Sequence, residues 1–199
     1  ERDSSFYDFS LIDRAVHMVR DPFDNVVSRF HNKWHSEKDE VKRAYNTSAQ
    51  GFRSYCRDRV DRFSWNGGAL GTASANDRLW RAIEHVPCHS DFVRYIIWHN
   101  RAFQVTKNIP VHVLHYDGYA TNWNKTMVSL LDFLGYTFQG DQMPFKAGKY
   151  YRSYFSEQEV DALYNVLKIL ASRETWESVK RYFEDKEDMD IQRSQLQLD

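Results

Sequence analysis

Two hydrophobic periods run through this chain and sketch its elements. Ala15-Val16-His17-Met18-Val19 is a five-residue apolar run that stops at a turn signal, the pattern of a buried strand. Asp21-Pro22 then reads as a helix start. Asp accepts hydrogen bonds from the first N–H groups, and Pro suits the first helical position. Val26, Val27 and Phe30 carry that helix to about His35, and residues 33–44 form a polar surface connection. Ser48 opens a second helix, with Phe52, Tyr55, Cys56, Val60 and Phe63 at helical spacing. Residues 66–74 contain three Gly and no periodicity, which predicts a loop, and a short helix follows over 76–84.

After Pro87, His89 or Ser90 caps a longer helix whose apolar stripe is Phe92, Tyr95, Ile96, His99, Ala102 and Phe103. His99 lies on that stripe and reads as a core histidine. Residues 111–115 alternate like a strand, and a helix over about 126–134 ends at Gly135. Ser156-Glu157-Gln158-Glu159 is a capping box, in which hydroxyl and carboxylate each bond the other residue's N–H. It opens a helix with Val160, Leu163, Tyr164, Leu167 and Leu170 on one face, and a last helix spans about 175–183. Strands separated by helices predict a layered α/β fold. Two visible strands are few for a self-sufficient sheet.

The chain's 199 residues fit one domain, and 42% hydrophobic content is enough for a core. With 13 Phe, 12 Tyr and 6 Trp, aromatic residues are unusually dense, which suits sugars or planar phenols equally as acceptors. No apolar run approaches the roughly 18 residues of a membrane helix. The net charge of −1 gives no reason to expect nucleic acid. Charge is uneven, however: residues 184–199 hold six acids and two bases, which leaves residues 1–183 at +3. The division expected is therefore a domain over 1–183 and an acidic, disordered tail over 184–199. A mildly basic body suits a small anionic ligand.

Arg53, Arg57, Arg59 and Arg62 fall mostly off the apolar face of the second helix, as a solvated face or as an anion-binding surface. His112 and His115 have no neighbours that complete a ligand set, so no metal is expected. Cys56 and Cys88 form a disulfide if the protein is lumenal, or stay as two thiols if it is cytosolic. Asn46-Thr47-Ser48 and Asn124-Lys125-Thr126 are glycosylation sequons. About one sequon is expected by chance, so two do not decide the compartment; the Golgi lumen is favoured, with the cytoplasm as the alternative.

Chemistry concentrates in residues 19–28. Arg20 ends a strand, at the carboxyl edge where open α/β sheets bind ligands. A helix N-terminus with unpaired N–H groups follows, and Ser28 adds a hydroxyl. The planar guanidinium fork of Arg20 matches phosphate oxygens. A phosphate site is one reading. The other is an Arg bridging loop carbonyls beside a solvent-facing Ser.

Arg20-Asp21-Pro22-Phe23-Asp24-Asn25-Val26-Val27-Ser28 resembles the 3′-phosphate-binding strand–loop–helix of the sulfotransferases. These enzymes use 3′-phosphoadenosine 5′-phosphosulfate. His112-Val113-Leu114-His115-Tyr116-Asp117 is similar to the family's strand ending in Tyr-Glu-Asp, and Phe133-Leu134-Gly135 to its following helix end. Phe145-Lys146-Ala147-Gly148 with Tyr154-Phe155-Ser156 resembles the basic Gly segment that leads into a Phe-Thr helix start. The Trp98-His99-Asn100 helix looks closer to the carbohydrate-type branches than to the small-phenol enzymes.

The resemblance covers about residues 15–183 and implies a three-layer, P-loop-like parallel sheet flanked by helices. It implies that Arg20, Ser28, Lys146 and Gly148 bind the 3′-phosphate and that Tyr116 lies near the adenine. Two departures stand out. Asp117-Gly118 replaces the acidic pair, and Ala147 stands where a second basic residue is usual. The family's first strand, its phosphosulfate loop with a Lys, and its catalytic base are expected upstream of Glu1, as is any membrane anchor. No base is therefore assigned within the chain. With that strand missing, the sheet is expected to show a gap or to close up.

The function implied is sulfuryl transfer to an acceptor hydroxyl, on a carbohydrate by preference, with a nucleotide co-substrate and no metal. The alternatives are a non-catalytic domain that binds glycan or protein, and another nucleotide-dependent transferase or kinase of the same fold.

Overall fold

The computed structural model describes residues 11–36, 44–60, 73–137 and 150–184, the side chains of 36, 59, 60, 73–77 and 184 excepted. Lys146, Gly148 and the tail beyond Glu184 lie outside the described residues, as does Arg62. The chain divides into two compact units. One joins Glu1–Arg20 to Arg101–Gly148, and the other joins Asp21–Asn100 to Lys149–Asp199.

The first unit holds strands β1 (Ala15–Val19) and β2 (Val111–His115). They pair directly and in parallel, Ala15 with Val111 through Val19 with His115. Of the two arrangements expected, the sheet is the closed one. Ala15 N–H donates to Pro110 at one end (2.9 Å) and Tyr116 N–H to Val19 at the other (2.8 Å). The apolar run of β1 predicted a strand buried on both faces. Instead His17 and Val19 are buried, while Val16 and Met18 are 40% and 46% exposed. Side chains alternate along a strand, so among the described residues one face of β1 is covered and the other is not. The His17 ring lies 4.1 Å from that of Phe103, and burial lowers its pKa.

Beyond β2, the chain makes a one-turn helix α5 (Gly118–Thr121) and then α6 (Trp123–Leu134). The sequence pattern missed the first and started the second three residues late. Asn122 caps α6 by accepting from Lys125 N–H at 3.2 Å. Gly135, with φ +75°, ends it as expected: its N–H and that of Tyr136 return to Asp132 and Leu131, which closes the last turn.

The second unit is helical. It contains α1 (Pro22–Ser36), α2 (Ala49–Val60), α3 (Ala73–Ile83) and α7 (Glu157–Leu170), then the short α8 (Arg173–Val179) and α9 (Arg181–Glu184). Helix α4 (His89–Val105) belongs to it as far as Asn100. His89 and Ser90 are thus inside the first turn of α4, not caps. The expected helix over 175–183 is instead two helices broken at Lys180, with Ser172 capping α8 at Thr175 N–H (3.2 Å).

Aromatic rings fill this unit. Phe23 meets Phe92, Phe155 and Phe183 edge-on at 5.5, 5.2 and 5.4 Å, and Phe52 meets Phe30 and Phe155 at 5.7 Å each. The ring quadrupole favours such edge contacts over flat stacking. His99 is buried beside Tyr95 at 4.3 Å, as its place on the stripe predicted.

Three polar ties fix the helices. Asn100 donates to Leu170 C=O and accepts from Ser172 N–H, each at 2.8 Å. Cys56 on α2 is joined to Cys88 as a disulfide, with Cα atoms 4.8 Å apart. Arg53 grips Glu159 with both terminal nitrogens at 2.7 Å and donates to Tyr154 C=O at 2.8 Å. Glu159 also accepts from Ser156 N–H at 2.7 Å, so the capping box forms as the sequence predicts and Arg53 locks it. Arg53 is therefore a part-exposed ion-pair partner of Glu159, its fork already occupied by that carboxylate. Arg57 on the same helix is 77% exposed.

Candidate functional site

The strand pair of the first unit ends at Val19 and His115 in register, so Arg20 and Tyr116 leave its carboxyl edge side by side. The Arg20 guanidinium carbon sits 4.8 Å from the Tyr116 ring centroid. A guanidinium attracted to a ring face keeps its planar fork in one orientation. These two residues are the predicted pair that the structure brings together. Beyond Tyr116 the chain turns at once. Asp117 C=O accepts from Ala120 and Thr121, which turns the chain straight into α5.

Ser28 belongs to the second unit, half-buried on α1. Asp21 caps this helix. Its Oδ1 accepts from Phe23 N–H at 2.8 Å and Asp24 N–H at 3.2 Å, while its C=O accepts from Asn25 N–H at 2.8 Å. Pro22 has no N–H to offer. The expectation of unpaired N–H groups at this helix start is therefore corrected. A carboxylate of the chain itself already takes the place an anion would take.

Burial, then repulsion from Asp24, raises the Asp21 pKa to about 7, against the pull of the Asp24 and Phe23 N–H groups and of Arg152. Arg152 lies over the Phe23 ring at 5.0 Å and donates to Tyr182 C=O at 2.7 Å.

Sequence reasoning missed what surrounds Ser28. Asp24 and His31 stand four before and three after it, on the same helix face. Asp24 accepts from Tyr151 N–H at 2.8 Å, and the His31 ring stacks on the Tyr151 ring at 5.0 Å. Tyr151 thus packs on the two residues that flank Ser28 along this face. The signal was present as a polar stripe, Asp24, Ser28 and His31, beside the apolar positions Val26, Val27 and Phe30. The partner, 127 positions from Asp24, was not readable.

Among the described residues, no group of three or more His, Cys, Asp or Glu side chains is placed to hold a metal ion. Nor is any helix among them long and apolar enough to cross a membrane.

The family model described as the sulfotransferase domain matches residues 11–186. No curated protein and no solved structure matches the chain. The match contains both strands, the Arg20–Tyr116 pair and the Ser28 helix, and it covers most of the sequence: the chain belongs to the sulfotransferase family.

Proposed function

We propose that this chain forms the nucleotide-binding part of a sulfotransferase that moves a sulfuryl group from 3′-phosphoadenosine 5′-phosphosulfate to an acceptor hydroxyl, on a carbohydrate by preference. The observation that carries the reading is the Arg20–Tyr116 pair at the carboxyl ends of two paired parallel strands, inside the span matched to the family. In this reading Arg20 clamps the 3′-phosphate, Ser28 donates a hydroxyl hydrogen bond to it, and Tyr116 offers a ring near the adenine. Lys146 and Gly148 complete the phosphate grip. The three-layer P-loop-like sheet belongs to the same proposal.

The acceptor oxygen attacks sulfur as the bond from sulfur to the 5′-phosphate oxygen breaks. A base takes the hydroxyl proton, and cations stabilise the charge that grows on the leaving phosphate. No residue of this chain is assigned as that base. The contribution of the chain is to hold the donor in place for in-line attack.

Calorimetry with 3′-phosphoadenosine 5′-phosphate tests the reading. Arg20→Ala is expected to weaken binding by about 1.5–3 kcal/mol, the worth of a hydrogen bond to a charged group. Equal affinity of wild type and Arg20→Ala would remove Arg20 from the site and the reading with it.

A further inference from the structure

Of the two sequons, one is folded so that its first and third residues are bonded to each other through the amide oxygen. Asn46 is exposed, in the turn that leads into α2. Its Oδ1 accepts from Ser48 N–H at 3.1 Å and from the Ser48 hydroxyl. Ser48 Oγ in turn accepts from Gly51 N–H at 3.2 Å. The fit is close enough to require glycine: a Cβ at Gly51 would fall 1.9 Å from the Asn46 carbonyl oxygen and 2.5 Å from its Oδ1. The Oδ1 side of the amide therefore faces the helix. Because the amide is planar, Nδ2 lies on the opposite side of Cγ. Tyr154 OH donates to Thr47 C=O at 2.9 Å and holds the turn from the other end.

Asn124 differs. It is the second residue of α6, and residues two apart on a helix are turned by roughly 200°. Asn124 and Thr126 therefore point to opposite faces, whereas Asn46 and Ser48 are bonded to one another. The Asn46–Ser48 arrangement spans three residues, so it can form locally before the domain folds. A further observation concerns compartment. Helix α2, which this turn opens, carries Cys56 in its disulfide with Cys88, and disulfides persist where the environment is oxidising.

We propose that Asn46 is an acceptor of N-linked glycan. The co-reactant is an oligosaccharide carried on a polyprenyl diphosphate, delivered by the cell's own transferase. A bond forms between Asn46 Nδ2 and the anomeric carbon of the first sugar. The bond from that carbon to the diphosphate oxygen breaks, the polyprenyl diphosphate leaves, and Nδ2 gives up one proton. No electron changes hands.

The test uses the full-length protein purified from its own cells. Amidase release of glycan in oxygen-18 water is expected to convert Asn46 to Asp carrying the label, read by peptide mass mapping. Asn46→Gln, made in the same cells, is expected to lose the mass of one glycan, and Ser48→Thr, which keeps both the sequon and the helix cap, to retain it. A native Asn46 peptide that is bare and unlabelled overturns the proposal, whether or not the Gln variant folds.

Discussion

Replacing Arg53 with Ala is the sharpest test of how the second unit is held together. The substitution removes two hydrogen bonds of 2.7 Å to Glu159 and one of 2.8 Å to Tyr154 C=O. It leaves behind a carboxylate that is only 7% exposed. Breaking a buried ion pair costs about 3–5 kcal/mol, and an exposed pair is worth about 0–1 kcal/mol. The Arg53 side chain is 41% exposed, so solvent screens its end of the pair and the expected loss is intermediate. About 2 kcal/mol is reasonable, or on the order of 4–8 °C in Tm for a chain of this size.

The loss should also depend on pH in one direction. Burial opposes ionisation of Glu159, but the hydrogen bonds from Arg53 and Ser156 and the charge of Arg53 outweigh it and hold the carboxyl below its usual pKa of 4.5. The pair therefore stabilises the protein above that value, and its contribution fades as pH falls through the lowered folded value. Thermal unfolding of wild type and Arg53→Ala at pH 7 and across the acid range reads both effects. An unchanged Tm at pH 7, or a deficit that stays constant into acid, would refute the reasoning.

Two further outcomes are expected. Reducing the disulfide, or changing Cys56 to Ser, frees a loop whose ends are 32 positions apart; it should cost about 2–4 kcal/mol in denaturant unfolding, with no added effect of reductant on the Ser variant. Asp21 has a folded pKa raised from 3.8 to about 7, so the folded state keeps a proton that the unfolded chain has released, and stability should fall as pH rises between those values. Asp21→Asn retains a capping oxygen and should flatten that slope, as unfolding across pH 4–8 would show.

Local patterns were legible because their partners are close in sequence. The Asp21 cap, the Ser156–Glu159 box and the Gly135 stop each need only a few neighbouring residues, and all three stand where the sequence puts them. The buried His99 followed from a single helical stripe. Arg53 was misread because a cation off the apolar face looks the same whether it meets water or a carboxylate 106 positions away. The contact of Tyr151 with Asp24 was hidden for the same reason, since Asp24 alone does not name its partner. Val16 and Met18 misled in another way. An apolar run states what a strand tolerates on both faces, not how many faces are covered.

The strand register bears on the order of folding. Every pair in the sheet joins residues 96 positions apart, from Ala15 with Val111 to Val19 with His115. Closing a loop of that length costs roughly 4 kcal/mol in chain entropy before the first strand bond is made. Helices α1 to α3, by contrast, form from contacts within a turn or two. The edge that carries Arg20 and Tyr116 is thus a late product of folding. On the nucleotide-binding function proposed above, a variant that slows strand pairing should accumulate an intermediate with helices formed and no nucleotide affinity, so that the far-ultraviolet signal recovers before ligand binding does.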